Sequence, residues 1–110
     1  IPDDTATLTG GGLLNASNSF DASTQMTISG STVRGNTAAN GGGVINFGTL
    51  TFASPHTVVG GNAATTGGGV LQVATFPING SVTGGCPFSL GGNVLYSPAN
   101  TPTDYDGFAC

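Results

Sequence analysis

Apolar residues in this chain fall in short clusters rather than long runs. Met26-Thr27-Ile28, Leu50-Thr51-Phe52 and Phe76-Pro77-Ile78 each read apolar–X–apolar. That is the period-two pattern of a strand with one buried face. Aliphatic pairs Leu13-Leu14, Val44-Ile45 and Val70-Leu71 each follow a glycine triplet, at Gly10–Gly12, Gly41–Gly43 and Gly67–Gly69, and each precedes an amide, Asn15, Asn46 or Gln72. No stretch of a dozen residues combines a 3.6-residue period with freedom from Gly and β-branched clusters, so helix is disfavoured throughout.

The clusters recur in order. A third element precedes a Gly-Asn step in Val33-Arg34-Gly35-Asn36, in Val59-Gly60-Gly61-Asn62 and in Leu90-Gly91-Gly92-Asn93. Residues 36–43 and 62–69 match in spacing and nearly in sequence. Equivalent positions lie 26 residues apart from Asn36 to Asn62 and from Gly41 to Gly67, and 31 apart from Gly10 to Gly41 and from Asn62 to Asn93. The difference is expected in loops around 18–24 and 80–88. A period in the twenties with three short strands per repeat predicts a β-solenoid. One coil cannot bury its own apolar residues, but stacked coils share a continuous core. Glycine suits tight corners, and Asn tolerates left-handed backbone and stacks in ladders along an axis. Three to four coils at about 4.8 Å spacing give a stub roughly 15–20 Å long. A β-sandwich shares the short strands and Gly-rich turns, and the repeat is what separates the two.

Composition narrows the class. The 110 residues suffice for one domain: 1–9 as an N-terminal strand or cap, 10–96 as repeats, and 97–110 as a C-terminal cap outside the repeat. Charged residues are only 5% of the chain, against roughly 25% in an ordinary domain. Disordered chains combine low hydrophobicity with high charge, so disorder does not account for the 20 glycines. There is no Lys, Arg34 is the single permanent cation, and the net charge is −4. Nothing here is a footprint for phosphates, so nucleic acid is excluded as a partner. No apolar run is long enough to span a bilayer as a helix. No signal peptide is visible, and a chain that starts at Ile1 reads as processed or as a fragment. Two cysteines, Cys86 and Cys110, predict one disulfide and an oxidising, extracellular or cell-surface location. Such a loop is worth about 3 kcal/mol in the chain-entropy account.

The block from Ile28 to Leu71, with its Ser31–Ala38 step, its Gly41–Ile45 step and Gly48-Thr49-Leu50-Thr51, resembles the repeats of right-handed parallel β-helix proteins. These include polymorphic outer-membrane-protein-like adhesins and large secreted β-helix proteins. The resemblance covers about two-thirds of the chain. It implies a short right-handed parallel β-helix with three strands per coil. It says less about activity, because many activities use this scaffold.

Candidate chemistry is sparse. The acids are Asp3, Asp4, Asp21, Asp104 and Asp106, and none lies in the central repeats. A glycosidase needs two carboxylates facing across a bond, so a degenerate polysaccharide lyase or hydrolase ranks last and no catalytic residue is expected. Asp104-Tyr105-Asp106-Gly107 has the opening of a calcium loop but lacks the distal ligands, and reads as a polar turn. His56 has no partner for nucleophilic work and reads as a surface or stacking residue. The glycine triplets are not phosphate loops, since no Lys follows and no helix opens there. Neither a metal nor a cofactor is expected. Asn15-Ala16-Ser17 and Asn79-Gly80-Ser81 are glycosylation sequons, at Asn15 and Asn79.

These features predict a non-catalytic structural protein, either a self-assembling filament or surface subunit or a segment of a stalk or adhesin. Solenoid ends expose strand edges, and a surface without Lys lacks the usual protection against edge pairing. The alternating segment Thr5, Ala6, Thr7, Leu8, Thr9 is a candidate assembly strand, by addition to an open coil of a second copy. The alternative is a carbohydrate- or surface-binding module. Its ice-binding variant needs a regular Thr-x-Thr column, and the pairs Thr7/Thr9, Thr49/Thr51 and Thr101/Thr103 are irregularly spaced.

Overall fold

A computed structural model describes residues 11–15, 25–73 and 81–110. Among the described residues, ten short strands run in chain order: β1 (Leu13–Asn15), β2 (Gln25–Ser29), β3 (Thr32–Arg34), β4 (Val44–Asn46), β5 (Thr49–Ala53), β6 (Thr57–Gly60), β7 (Val70–Gln72), β8 (Ser81–Thr83), β9 (Val94–Leu95) and β10 (Tyr105–Asp106). They form three sheets, ordered β1-β4-β7-β10, β2-β5-β8 and β3-β6-β9. Every strand pair is parallel. Consecutive strands therefore never pair; each bonds to the strand one coil above or below. This is a short parallel β-helix, and the uniformly parallel pairing rules out a sandwich. Coil 1 holds β1–β3, coil 2 β4–β6, coil 3 β7–β9, and β10 belongs to coil 4.

Alternation within strands aims the core. In β5, Leu50 and Phe52 are buried while Thr49, Thr51 and Ala53 are only partly covered. Like residues stack across coils: Val44 on Val70, Val33 on Val59, and Ile28 on Phe52. With Leu50 and Val94 they make one continuous core. Each coil thus completes the burial of its neighbour, as a repeat array requires.

The glycine triplets form a corner where coils nearly touch. A Cβ on Gly42 would lie 2.6 Å from the Ala63 carbonyl oxygen and 2.7 Å from that of Gly68. Gly41 and Gly67 have φ of 60° and 61°, the left-handed region that glycine enters without penalty.

The C-terminal part departs from the sequence reading in three ways. First, the segment 97–110, read above as outside the repeat, carries the fourth coil. Tyr105 pairs with Val70 and Asp106 with Leu71, while Thr101 bridges Ala63. Second, Leu90-Gly91-Gly92-Asn93 is not a third strand. Phe88–Leu90 is a single 3-10 turn, and the strand in that position is β9, with Val94 opposite Thr57. The match of Asn93 to Asn36 and Asn62 fails with it. Third, the strand on β5 is β8, with Val82 opposite Leu50; Phe76-Pro77-Ile78 lies outside the described residues.

Leu50 is fully buried at the centre of this stack, so Leu50→Ala is expected to cost about 2–5 kcal/mol in urea unfolding. Thr65→Ala, at an exposed corner, is expected to change stability by less than about 0.5 kcal/mol.

Candidate functional site

Two columns of side-chain amides run through the stack. In the first, Asn15 Nδ2 donates to Asn46 Oδ1 at 2.8 Å, and Asn46 Nδ2 donates to Gln72 Oε1. Asn46 also closes its own turn, giving Nδ2 to the Gly48 carbonyl at 2.8 Å and accepting from Gly48 N at 3.2 Å. In the second column, Asn36 donates from its backbone N and its Nδ2 to Asn62 Oδ1, at 2.9 and 3.0 Å. Asn62 does the same to Asn100 Oδ1, at 2.9 and 2.8 Å. Two rungs also reach back to a strand of the previous coil: Asn62 Nδ2 to the Val33 carbonyl at 3.1 Å, and Asn100 Nδ2 to the Val59 carbonyl at 3.0 Å. Asn36, Asn46 and Asn62 are essentially inaccessible to solvent. Burial of an amide is tolerated because its donors and acceptor are engaged.

The second column ends on a carboxylate. Asp104 Oδ1 accepts from both the backbone N and the Nδ2 of Asn100, each at 2.9 Å. Neither Asn100 nor Asp104 was singled out from sequence as a rung. The signal was the Asn-Thr dipeptide, present at Asn36-Thr37 and again at Asn100-Thr101. It was hidden because the corner from Asn100 to Tyr105 is three residues shorter than the corner from Asn36 to Val44 or from Asn62 to Val70.

The other residues picked from sequence scatter. Cys86 and Cys110 form a disulfide that ties the chain's last residue to the segment before the 3-10 turn. Asn15 is a poor glycan acceptor in the folded protein: it is 3% exposed, and its Nδ2 donates to Asn46 and to the Thr49 carbonyl. The second sequon residue, Asn79, and the strand Thr5–Thr9 lie outside the described residues, as do Asp3, Asp4 and Asp21. His56 is exposed and packs on Phe88, ring centroids 5.2 Å apart. Arg34 is exposed on β3. Asp106 holds its own turn by accepting from Gly107 N at 2.8 Å.

Two surfaces remain. A cavity of about 550 Å³ opens at coil 1, lined by Leu13, Met26 and Ile28 with the hydroxyls of Thr27, Ser29, Ser31 and Thr32. Among the described residues, none that lines it is titratable, and no three His, Cys, Asp or Glu converge. On the β2-β5-β8 sheet, Thr27, Thr51 and Thr83 stand in register, beside Gln25, Thr49 and Ser81. The irregular spacing of Thr-x-Thr along the chain concealed this column, because coil lengths differ.

At the coil 4 end, Tyr96, Tyr105 and Phe108 pack on the core, with centroids 5.6 and 5.2 Å apart in succession. The Tyr96 hydroxyl donates to the Gly85 carbonyl. Burial pushes the Tyr96 phenol well above its usual range, and the nearby Asp104 carboxylate and Tyr105 add to the shift.

Comparison of the chain with family models, with curated proteins and with solved structures finds no match.

Two outcomes are expected. Asn62→Ala leaves two Asn36 donors without their acceptor, so it should destabilise by on the order of 3 kcal/mol in chemical unfolding, from about 1–3 per unpaired buried group. For Tyr96, the folded state holds a phenol proton that the unfolded chain releases. Stability is then fully present below about pH 10 and falls as pH rises above it. Unfolding curves at rising pH, compared with Tyr96→Phe, read this directly; the variant's alkaline loss should be smaller.

Proposed function

We propose that the protein is a non-catalytic structural module of an extracellular or cell-surface protein, a solenoid segment of a stalk or adhesin. The observation that carries this reading is where its buried polar side chains go. Among the described residues these are Asn15, Asn36, Asn46, Thr57, Asn62, Gln72 and Asn100. Six are rungs of the two columns, and Thr57 Oγ1 accepts from Ser31 N between coils. An active site aims such groups into a cleft with shifted titratable partners; here they bind one coil to the next. The disulfide suits an oxidising compartment.

A second reading, a module that binds carbohydrate or another ordered surface, is favoured by the Thr27–Thr51–Thr83 column. Hydroxyls repeated at about 4.8 Å along the axis present a regular array to a repeating ligand.

Incubation with pectin, alginate and neutral polysaccharides separates these readings. The structural module is expected to release no new sugar ends and to pass unretained over the insoluble polymers. Released ends would replace it with a polysaccharide-cleaving enzyme. Retention that Thr51→Glu abolishes would favour the binding module.

A further inference from the structure

The outer face of the β2-β5-β8 sheet is ordered in two directions. Across the coils, Thr27, Thr51 and Thr83 form one row and Gln25, Thr49 and Ser81 a second, both in the pairing register of the strands. Within each strand the two rows are two residues apart. Neighbouring coils stand about 4.8 Å apart, and two residues of a parallel strand span roughly 6.6 Å. The side chains therefore lie on a near-rectangular net. Between the rows, Met26, Leu50 and Val82 pack inward with the core.

The net is held rigidly from below. Asn15 Nδ2 donates to the Thr49 carbonyl at 3.1 Å, and Asn46 Nδ2 donates to the Ser81 carbonyl at 3.0 Å. The first amide column thus fixes the starting residues of β5 and β8. Side-chain ladders of this kind let a sheet stay flat where it would otherwise twist. Threonine is β-branched and stiff at χ1, so its hydroxyl loses little freedom when a ligand orders it.

The chemistry of the face rules out most repeating ligands. Its outward positions on β2, β5 and β8 are Gln, Thr, Ser and Ala, with no charge and no aromatic ring. An ionic mineral or an acidic polysaccharide finds no counter-charge there. A neutral sugar finds no ring to stack on; Tyr96, Tyr105 and Phe108 pack against the core instead. What each threonine offers is a hydroxyl that donates and accepts, as water does, beside a methyl group that restricts the orientation of adjacent water. A prism face of hexagonal ice sets its oxygens on a rectangular net with repeats close to those of the two rows.

We infer that the β2-β5-β8 face binds ice, its threonine rows ordering a layer of water that merges with the crystal lattice. The inference names the ligand of the binding-module reading above and rests on that reading. The Thr-x-Thr spacing that is irregular along the chain is regular in space, because the pairing register absorbs the unequal coil lengths.

The test is partition into ice. The full chain is frozen slowly onto a cold finger, and protein in the ice is compared with protein left in solution, for wild type, Thr51→Glu, Thr83→Glu and Thr65→Glu. Circular dichroism reads the fold of each. Thr65 is exposed on a corner outside this sheet, so it carries the same change of charge off the face. Thr83 is exposed on β8, and its variant is read if Thr51→Glu does not fold. Wild type and Thr65→Glu should be enriched in the ice. Each folded face variant should lose at least about tenfold of that enrichment: tenfold needs only about 1.4 kcal/mol, and an unpaired carboxylate pressed against an uncharged lattice costs more. Wild type excluded from ice would overturn the inference, and so would enrichment that survives in the folded face variants. Exclusion from ice together with retention on an insoluble neutral polysaccharide would overturn ice as the ligand and leave the binding face standing. Exclusion from ice with no retention would remove both. Exclusion from ice with a wild-type mass that rises with concentration, and that Thr83→Glu holds constant, would give the face to a second copy of the chain.

Discussion

An asparagine side chain withdrawn from water needs partners for two hydrogens and a carbonyl, or it costs several kcal/mol. In this protein the partner is another asparagine one coil away. That constraint ties the chain to its repeat. A rung at Asn62 is satisfied only if Asn36 lies on one side and Asn100 on the other. Coils cannot slip by a residue without breaking both columns, and a slip would also turn Leu50 and Phe52 outward. Polar bonding and apolar packing therefore select the same register. With so few charges and so many glycines, the fold has little else to fix it.

The glycine triplets follow from the columns. For amide-to-amide bonds of 2.8–3.0 Å between coils, the adjoining backbone must come close as well, and the corner at Gly42 and Gly68 has no room for a methyl group. Glycine is costly to order. The chain offsets this with hydrogen bonds from Gly41, Gly42, Gly43 and Val44 to the next coil, at 3.0, 3.1, 2.9 and 2.8 Å. What looks from composition like a flexible chain is thus held by continuous backbone bonding through its most glycine-rich part.

The central coils were legible because they obey this rule without exception. Residues 36–43 and 62–69 repeat in both length and type, so strands β4 to β7 and their facing residues follow from the pattern. Legibility failed at coil 4, where the rule is modified. The last corner is shortened by three residues, a glycine position becomes Asp104, and aliphatic pairs give way to Tyr105-Asp106. Asn93 imitates the pattern because it too follows a Gly-Gly step, but it serves a different turn: its Nδ2 donates to the Phe52 carbonyl at 2.8 Å. The hydroxyl column of Thr27, Thr51 and Thr83 was hidden for a related reason. Unequal loops destroy a period along the chain while leaving it intact in space.

The departures at coil 4 share one physical consequence. An interior coil is defined by what it leaves available to the next: a bare glycine, outward amide hydrogens and an aliphatic step. Coil 4 departs from each in turn. Asp104 fills the seat above Asn100, Gly107 offers nothing above Gln72, the tyrosines and Phe108 cover the core, and Cys110 fastens the last residue to Cys86. Coil 1 shows no such closure among its described residues; Leu13, Met26 and Ile28 line an open cavity there. A solenoid's free edges invite further strands unless they are covered. The Asp104 carboxylate and the aromatic rings at coil 4, and the hydroxyl-lined cavity at coil 1, therefore give the described parts of the two ends different chemistry.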